Sequence, residues 1–290
     1  MGKILNIGSI NIDYVYSVPH FVKSGETLAT SSRQIFPGGK GMNQSIALAR
    51  AGANVSHAGM VGSDGEWLIK ILQESGVDTS LVSLTDNPGG HTIIQVDEHG
   101  ENCILLFPGA NRQLDETFIS KAISQFSEGD ILLLQNEVSC VAHAIKTAKA
   151  QGMSIAFNPS PFDAEIASYP LELIDWWLLN EIEGQAISNT NKPTEMLDAI
   201  SQKYPNTSIV LTLGEDGVYC HYKGETYFHN SYKVQVIDTT AAGDTFTGYF
   251  ICAISQGEKI EEALRLASKA ASIAVSKKGA AVSIPKLEEI

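Results

Sequence analysis

Short apolar runs recur along the chain, separated by amphipathic segments long enough to form helices. These runs occupy residues 4–10, 55–61, 131–134, 154–157, 176–179 and 209–213. Buried parallel strands joined by crossover helices produce this spacing. The pattern therefore predicts an α/β fold, in which a doubly wound, mostly parallel sheet is flanked by helices.

Two segments, residues 11–37 and 90–108, do not follow this alternation. In the first, Tyr14, Tyr16 and Val18 alternate with other side chains, and the Thr- and Ser-rich residues 27–32 predict a second strand. In the second, residues 91–96 and 103–107 flank a polar turn, which is typical of a hairpin. We expect one domain over residues 1–290 whose two inserts form a small β-sheet lid. Separate surface hairpins are the alternative.

The remaining pattern predicts three helices, over residues 66–75, 245–255 and 260–275. A glycine-rich turn at residues 38–43 precedes a further, alanine-rich helix that extends to about Ala51. A second hairpin is expected over residues 218–229. A strand containing Val234, Val236 and Ile237 is expected to lead towards the helix at 245.

Composition narrows the classes of partner. The formal net charge is −13, which argues against nucleic acid because phosphate backbones attract clustered Lys and Arg. No run of 18 apolar residues is present, so no membrane span is expected. The four cysteines are far apart and the N-terminus lacks a signal-peptide layout. A cytoplasmic protein is expected.

Residues 238–248 contain small residues, a glycine and Asp244, just before a helix with an apolar face. Free backbone amides at a helix N-terminus attract anions. Asp244 could act chemically beside such an anion, but a carboxylate in the first helical turn is also a common cap. This segment alone leaves both interpretations open.

Three glycines within four residues, at positions 38–41, indicate close approach of the backbone to a ligand. Lys40 and Asn43 add donors at the same turn. The segment lacks the G-x-x-x-x-G-K-[ST] pattern of a Walker loop, because position 34 is Gln34 and Gly41 follows Lys40. A simple turn with a helix cap is the alternative.

Asn11 and Asp13 come just after the first apolar run and project to the same side of an extended chain. Amide and carboxylate groups at a strand end suit a polyhydroxyl ligand, although an Asx turn would look the same. Polar groups at residues 158–161, 180–183 and 212–217 also follow apolar runs, and each is unspecific by itself.

Taken together, these segments resemble the ribokinase-like (PfkB) carbohydrate kinase family over residues 4–285. The motifs that carry the resemblance are Gly8-Ser9-Ile10-Asn11-Ile12-Asp13, Gly38-Gly39-Lys40-Gly41-Met42-Asn43-Gln44, Pro108-Gly109-Ala110-Asn111, Gln135-Asn136-Glu137, Asn158-Pro159-Ser160-Pro161, Asn180-Glu181-Ile182-Glu183 and Asp238-Thr239-Thr240-Ala241-Ala242-Gly243-Asp244-Thr245-Phe246. Their order and spacing make the joint match specific.

The resemblance implies a role for each matched position. Asp244 would be the catalytic base, beside an anion hole formed by Ala241, Ala242 and Gly243. The positions that match sugar-binding residues are Asn11, Asp13, Gly39, Lys40, Asn43 and Glu137, together with Asp244 itself. The positions that match the nucleotide site are Asn180, Thr212, Gly214, Gly217, Gly243 and Ser268, where Ser268 replaces a His found near the adenine in some members.

The resemblance also implies ATP, Mg²⁺ and K⁺ as cofactors. Glu183 matches a position linked indirectly to Mg²⁺. The positions matching the K⁺ site are Asp238, Thr240, Ala274, Lys277, Gly279 and Ser283. Members of the family commonly pair their lids, so a homodimer is expected.

The expected activity is phosphorylation of a free pentose by ATP, most simply of D-ribose at its 5-hydroxyl. The alternatives are a kinase for deoxyribose, fructose or adenosine, and a sugar-binding regulator without catalysis. A nicotinamide oxidoreductase is disfavoured, because no G-x-G-x-x-G follows the first strand.

Overall fold

The computed structural model describes residues 2–290. The strands of this part are β1 (Ile4–Ile7), β2 (Asn11–Ser17), β3 (Ser32–Gly38), β4 (Val55–Gly62), β5 (Asp78–Thr85), β6 (Gly90–Val96), β7 (Asn102–Phe107), β8 (Ile131–Gln135), β9 (Ser154–Asn158), β10 (Trp176–Asn180), β11 (Ser208–Thr212), β12 (Val218–Tyr222) and β13 (Glu225–His229). The helices are α1 (Lys40–Arg50), α2 (Glu66–Glu74), α3 (Glu116–Ile123), α4 (Val141–Ala150), α5 (Glu181–Ser188), α6 (Pro193–Lys203), α7 (Ala242–Ser255) and α8 (Ile260–Val275).

The large sheet has nine strands in the order β13-β12-β11-β10-β9-β8-β1-β4-β5. Strands β11 to β5 along this order are parallel, and the hairpin β12–β13 is antiparallel to its neighbour. This confirms the predicted doubly wound α/β fold. From β1 the chain builds outwards in one direction through β4 and later in the other through β8. The carboxyl ends of β1 and β8 therefore mark the point where strand order reverses, which is where open α/β sheets bind ligands.

The two faces of the sheet are covered by separate hydrophobic cores. Side chains alternate across a strand, so Ile4 packs into one core, while Leu5 and Ile7 pack into the other. The first core includes residues of α1, α2, α7 and α8, and the second includes residues of α3, α4 and α6. The helix layers thus bring the N-termini of α1 and α7 to the same face of the sheet.

The two inserts form one small sheet of four strands in the order β3-β2-β6-β7. Strand β2 pairs with β3 antiparallel and with β6 parallel, and β6 and β7 form the expected hairpin. The predicted joining of both inserts is confirmed. The strand predicted over residues 27–32 is misplaced: β3 starts at Ser32, because residues 32–38 pair with β2 while the residues before them form a loop.

Three further predictions need correction. No strand contains Val234, Val236 and Ile237, since the amide of Ile237 donates to the carbonyl of Val275 at the end of α8 rather than to a neighbouring strand. The first strand ends at Ile7, and α1 starts at Lys40, inside the predicted glycine turn. Strand β5 was not predicted, because it is an edge strand without a continuous apolar run.

Candidate functional site

The glycine turn before α1 lies directly against the end of β1. Gly39 has φ 91°, a conformation that favours glycine. A Cβ at Gly41 would lie 2.4 Å from the amide nitrogen of Ser9, so only glycine allows this approach. The turn therefore presses the N-terminus of α1 onto the carboxyl end of β1.

Asp244 lies in the first turn of α7 and is 8% exposed. Both of its oxygens accept hydrogen bonds from α1: Asn43 Nδ2 donates to Oδ2 over 3.0 Å, and Gln44 Nε2 donates to Oδ1 over 2.9 Å. These bonds hold the carboxylate in a fixed plane. The structure places Asp244 and Asn43 together, as expected.

The N-terminus of α7 leaves backbone donors available beside Asp244. Its cap residue, Ala241, adopts a left-handed conformation with φ 60° and provides no side-chain cap. The amides of a first helical turn have no acceptor within the helix. Gly243 is exposed, and a Cβ there would meet no neighbour within 4 Å. The segment predicted as an anion hole is thus open and carries free donors.

Asn11 and Asp13 lie two residues apart on β2, as predicted, and each is oriented by a neighbour. Asn111 Nδ2 donates to Asn11 Oδ1 over 2.7 Å, and the Thr92 hydroxyl donates to Asp13 Oδ1 over 2.6 Å. Burial, helped by the nearby carboxylates of Glu137 and Asp244 and opposed by the hydrogen bond from Thr92, raises the pKa of Asp13 to about 6.

Glu137 joins this group from the end of β8. One of its oxygens accepts hydrogen bonds from the Ser9 hydroxyl and from the Lys40 amide, the latter over 3.0 Å. Burial raises the pKa of Glu137. Burial also opposes the charge of Lys40, yet the carboxylates of Asp244, Glu137 and Glu183 raise the pKa of Lys40 above its ordinary value. A half-buried cation thus lies among several acids.

A cleft of about 230 Å³ connects this group with a second set of predicted residues. Its wall includes Lys40, Asp244 and the anion-hole residues, together with Asn180, Glu183 and Thr212. Asn180 and Glu183 form a reciprocal capping box at the start of α5. Burial raises the pKa of Glu183, although hydrogen bonds from Asn180 favour its charged form.

Three residues predicted for the nucleotide site are not part of the cleft wall. Gly214 and Gly217 lie in the turn after Thr212. A Cβ at Gly217 would lie 2.4 Å from the carbonyl oxygen of His229, so close packing alone explains why this position is a glycine. Ser268 lies half-buried on α8. Their binding roles remain predictions.

The roles of Ala274, Lys277 and Ser283 in a K⁺ site stay predictions, because no described hydrogen bond joins them to Asp238. Asp238 contacts the two other residues predicted for that site, Thr240 and Gly279. Its carboxylate accepts hydrogen bonds from the amide and hydroxyl of Thr240 and from the amide of Gly279. Burial alone would raise the pKa of Asp238, but these hydrogen bonds lower it below its ordinary value. The Lys277 ammonium pairs with Glu289 at 2.7 Å, which leaves the backbone as its contribution to such a site. The set offers carboxylate, hydroxyl and carbonyl oxygens, which suit a hard cation.

Over residues 2–290, no group of three or more His, Cys, Asp or Glu side chains is arranged to hold a metal ion by itself. Glu183 and Asp244 are the acids among the residues that line the cleft, so Glu183 is the acid other than Asp244 that could face a nucleotide-bound metal.

No described helix is long and apolar enough to cross a membrane.

Sequence reasoning gave no role to four residues that shape the site, namely Ser9, Gln44, Thr92 and Asn111. Ser9, Gln44 and Asn111 lie within the quoted motifs, but their contacts cross 100 or more positions of the chain. Thr92 lies outside every motif, in the insert that forms β6. Only the strand register, which pairs Asp13 with Thr92, reveals it.

The chain matches the family described as pfkB family carbohydrate kinase over residues 1–287. Among curated proteins it is similar to the ribokinase of Haemophilus influenzae, with 39% identity over 300 residues that cover 100% of this chain and 97% of the relative.

Solved structures of ribokinases superpose closely on this chain. A ribokinase from Cryptococcus neoformans in complex with ADP has a TM-score of 0.87 and 32% identity, covering 100% of this chain and 98% of that one. The Arabidopsis thaliana ribokinase complexed with ribose and ATP has a TM-score of 0.88 and 29% identity, covering 99% and 96%.

Proposed function

The chain belongs to the pfkB family of carbohydrate kinases, and we propose that it transfers the γ-phosphoryl group of ATP to the 5-hydroxyl of D-ribose. The observation that carries the proposal is the position of Asp244. Its fixed carboxylate lies between the open amides of α7 and the polar group formed by Asp13, Lys40 and Glu137.

Substrate choice follows from the chemistry of this polar group. Asn11, Asp13, Asn43 and Glu137 offer amide and carboxylate groups that can pair with several hydroxyls at once. A nucleoside would require an apolar or aromatic slot for its base, and these side chains are all polar. The relatives named ribokinase, and the neighbour solved with ribose and ATP, support the choice of ribose.

In the proposed reaction, Asp244 accepts the proton of the 5-hydroxyl as that oxygen bonds to the γ-phosphorus. The bond between the γ-phosphorus and the bridging oxygen breaks, and ADP leaves. The amides of Gly243 and Asp244 stabilise negative charge on the transferring group, whereas the Ala242 amide already donates to the Thr239 carbonyl. Because phosphoryl transfer requires little covalent work from the protein, positioning and charge stabilisation provide most of the catalysis.

The nucleotide is proposed to lie in the part of the cleft lined by Asn180 and Thr212. Mg²⁺ would neutralise charge on the phosphates of ATP, and Glu183 would face it through water, since its carboxylate already accepts two hydrogen bonds from Asn180. K⁺ would be held near the anion hole by Asp238, Thr240 and backbone carbonyls of residues 274–283, and would stabilise the shape of the loop before α7.

We further propose that residues 1–290 act as one domain and that the small sheet is its lid. Four consecutive apolar residues of β7, Ile104 to Phe107, are exposed on an edge strand. A second copy of the chain covering this strand would explain the exposure. The four cysteines are free in the structure, which is compatible with a cytoplasmic protein.

The experiment that tests the function is a coupled assay of ADP release with ribose, deoxyribose, fructose and adenosine. Ribose should give the highest kcat/KM, and the product should carry its phosphate on carbon 5 by ³¹P–¹H NMR. ADP release with adenosine alone would assign a nucleoside kinase instead. Binding of ribose without turnover of any of the four would favour a regulator.

A further inference from the structure

Five buried polar side chains connect β4 with the Asp244 carboxylate through the layer between the large sheet and α1. In order they are His57, Ser45, Asn6, Gln135 and Gln44, here called the amide chain, and each is 0% exposed. Asn6 and His57 are cross-strand neighbours in the register of β1 and β4. No step of the proposed mechanism uses any of the five.

The direction of the hydrogen bonds is fixed at the His57 end. Burial lowers the pKa of His57 to about 4, so the ring is neutral near pH 7. Its Nε2 lies 3.2 Å from the carbonyl oxygen of Gly8, which can only accept, so Nε2 carries the proton. Nδ1 must then accept, and the Ser45 hydroxyl donates to it over 2.8 Å.

The same logic fixes the next two amides. Asn6 Nδ2 donates to Ser45 Oγ and to the Gly41 carbonyl, both over 2.8 Å, so Asn6 Oδ1 is left to accept. Gln135 Nε2 donates to that oxygen over 3.0 Å and to Gln44 Oε1 over 2.7 Å. Each amide therefore uses both of its N–H groups.

Gln44 consequently has one possible orientation. Its oxygen accepts from Gln135, and its Nε2 donates to Asp244 Oδ1 over 2.9 Å and to Asn158 Oδ1 over 3.2 Å. Asn158 is itself fixed, because its amide donates to the Leu178 carbonyl over 2.9 Å. Backbone carbonyls thus anchor the amide chain at both ends.

The direction of hydrogen bonds in the amide chain leaves one buried oxygen, that of the Gln135 side chain, without a donor. Gln135 Oε1 is buried and has no hydrogen bond within the described chain. Turning the Gln135 amide over would remove its donated bonds to both Asn6 and Gln44. Because an unsatisfied buried acceptor is costly, its presence indicates that the direction of the chain is imposed by its other members.

We propose that Gln44 is a positioning residue for Asp244, and that the amide chain from His57 fixes Gln44 so that it donates to the carboxylate. Asn43 clamps one oxygen of Asp244 and Gln44 clamps the other. The plane of the Asp244 carboxylate is then fixed relative to the substrate hydroxyl from which it accepts a proton. This proposal rests on the function proposed above, because it requires Asp244 to be the base.

A double-mutant cycle tests the proposal in the intact protein. Gln44→Met keeps the volume and removes the donor, and we expect kcat to fall about tenfold, the scale of one hydrogen bond to a charged group, with the ribose KM within about twofold. Asn6→Leu, two links away, should lower kcat about threefold to tenfold. In the Gln44→Met background Asn6→Leu should have no further effect, because its influence passes through Gln44.

Thr207→Val is the matched control. Thr207 is also buried and donates one hydrogen bond to a carbonyl, that of Ile174, away from the cleft. This variant should leave kcat unchanged, and circular dichroism should show all four proteins folded. Effects of Gln44→Met and Asn6→Leu that multiply, or a rise in KM without a fall in kcat, would overturn the proposal.

A second measurement does not depend on turnover. Long-range ¹⁵N–¹H spectra of the imidazoles, with His57→Phe to assign the signal, should show His57 neutral with its proton on Nε2 between about pH 6 and 8. A proton on Nδ1 would reverse the donor order and refute the amide chain. If the wild type shows this tautomer but does not phosphorylate ribose, the proposed function fails and the hydrogen-bond order stands.

Discussion

Asn43 Nδ2 lies 3.0 Å from Asp244 Oδ2, although 201 positions separate the two residues in the chain. The contact exists because α1 and α7 pack side by side on one face of the sheet with their N-termini together. It joins the glycine turn, which follows β3, to the turn before α7 that is predicted to bind an anion. The two motifs that the sequence presents separately are therefore parts of one site.

The first prediction concerns the base. Asp244→Asn keeps the size of the side chain but cannot take a proton, so kcat should fall by at least about 100-fold. Ribose binding, measured by calorimetry, should be largely retained. Glu261→Gln, an acid in the first turn of α8 that is exposed, is the control and should keep kcat within about twofold. Near-normal turnover by Asp244→Asn would remove the base from the mechanism.

The second prediction uses the raised pKa of Asp13. The folded-state pKa of about 6 lies above the ordinary 3.8, so the folded protein binds more protons between these pH values and loses stability as the pH rises through them. Asp13→Asn should remove this loss. The variant should therefore be more stable than the wild type at pH 7.5, by up to roughly 3 kcal/mol, and nearly equal near pH 4.

Urea unfolding at several pH values measures this difference, because subtracting the variant from the wild type cancels the acids that do not interact with Asp13. The same variant should raise the ribose KM, since a carboxylate that accepts hydroxyl hydrogen bonds has been lost. A stability difference that does not change with pH would show that Asp13 keeps an ordinary pKa.

The third prediction concerns the monovalent cation. If K⁺ binds at Asp238, activity in K⁺ should clearly exceed activity in Na⁺ at equal ionic strength. K⁺ should also raise the unfolding temperature more than Na⁺ does, because a ligand that binds only the folded state stabilises it. Asp238→Ala should abolish both preferences. Equal rates and equal unfolding temperatures in the two salts would exclude the site.

The fourth prediction concerns the exposed edge of the small sheet. Leu105 is 68% exposed on β7, and Leu105→Glu would place a charge in the proposed contact between two copies. Sedimentation should show a dimer for the wild type and a monomer for the variant. Phe228→Glu, on the edge strand β13 of the large sheet, should remain dimeric. A monomeric wild type at micromolar concentration would contradict lid pairing.

The sequence was most informative where local pattern and chemistry coincide. Apolar runs with helical spacers were sufficient for the parallel sheet, and two strand-like runs flanking a polar turn were sufficient for the hairpin of β6 and β7. It was least informative where a segment gains its conformation from distant partners. Val236 and Ile237 look like strand residues but are about 60% exposed. Their segment lies against the C-terminal end of α8, where the Ile237 amide bonds to Val275, and does not pair with a strand.

By itself, the sequence determined the fold class, the two inserts and most residues of the candidate site, since these depend on periodicity and on motifs a few residues long. Only the tertiary structure decided which groups orient them. Thr92 is placed on Asp13 by strand register, and Gln44 is placed on Asp244 by helix packing and by the order of buried hydrogen bonds. Such contacts join residues 79 and 200 positions apart, and no local pattern encodes a partner at that distance.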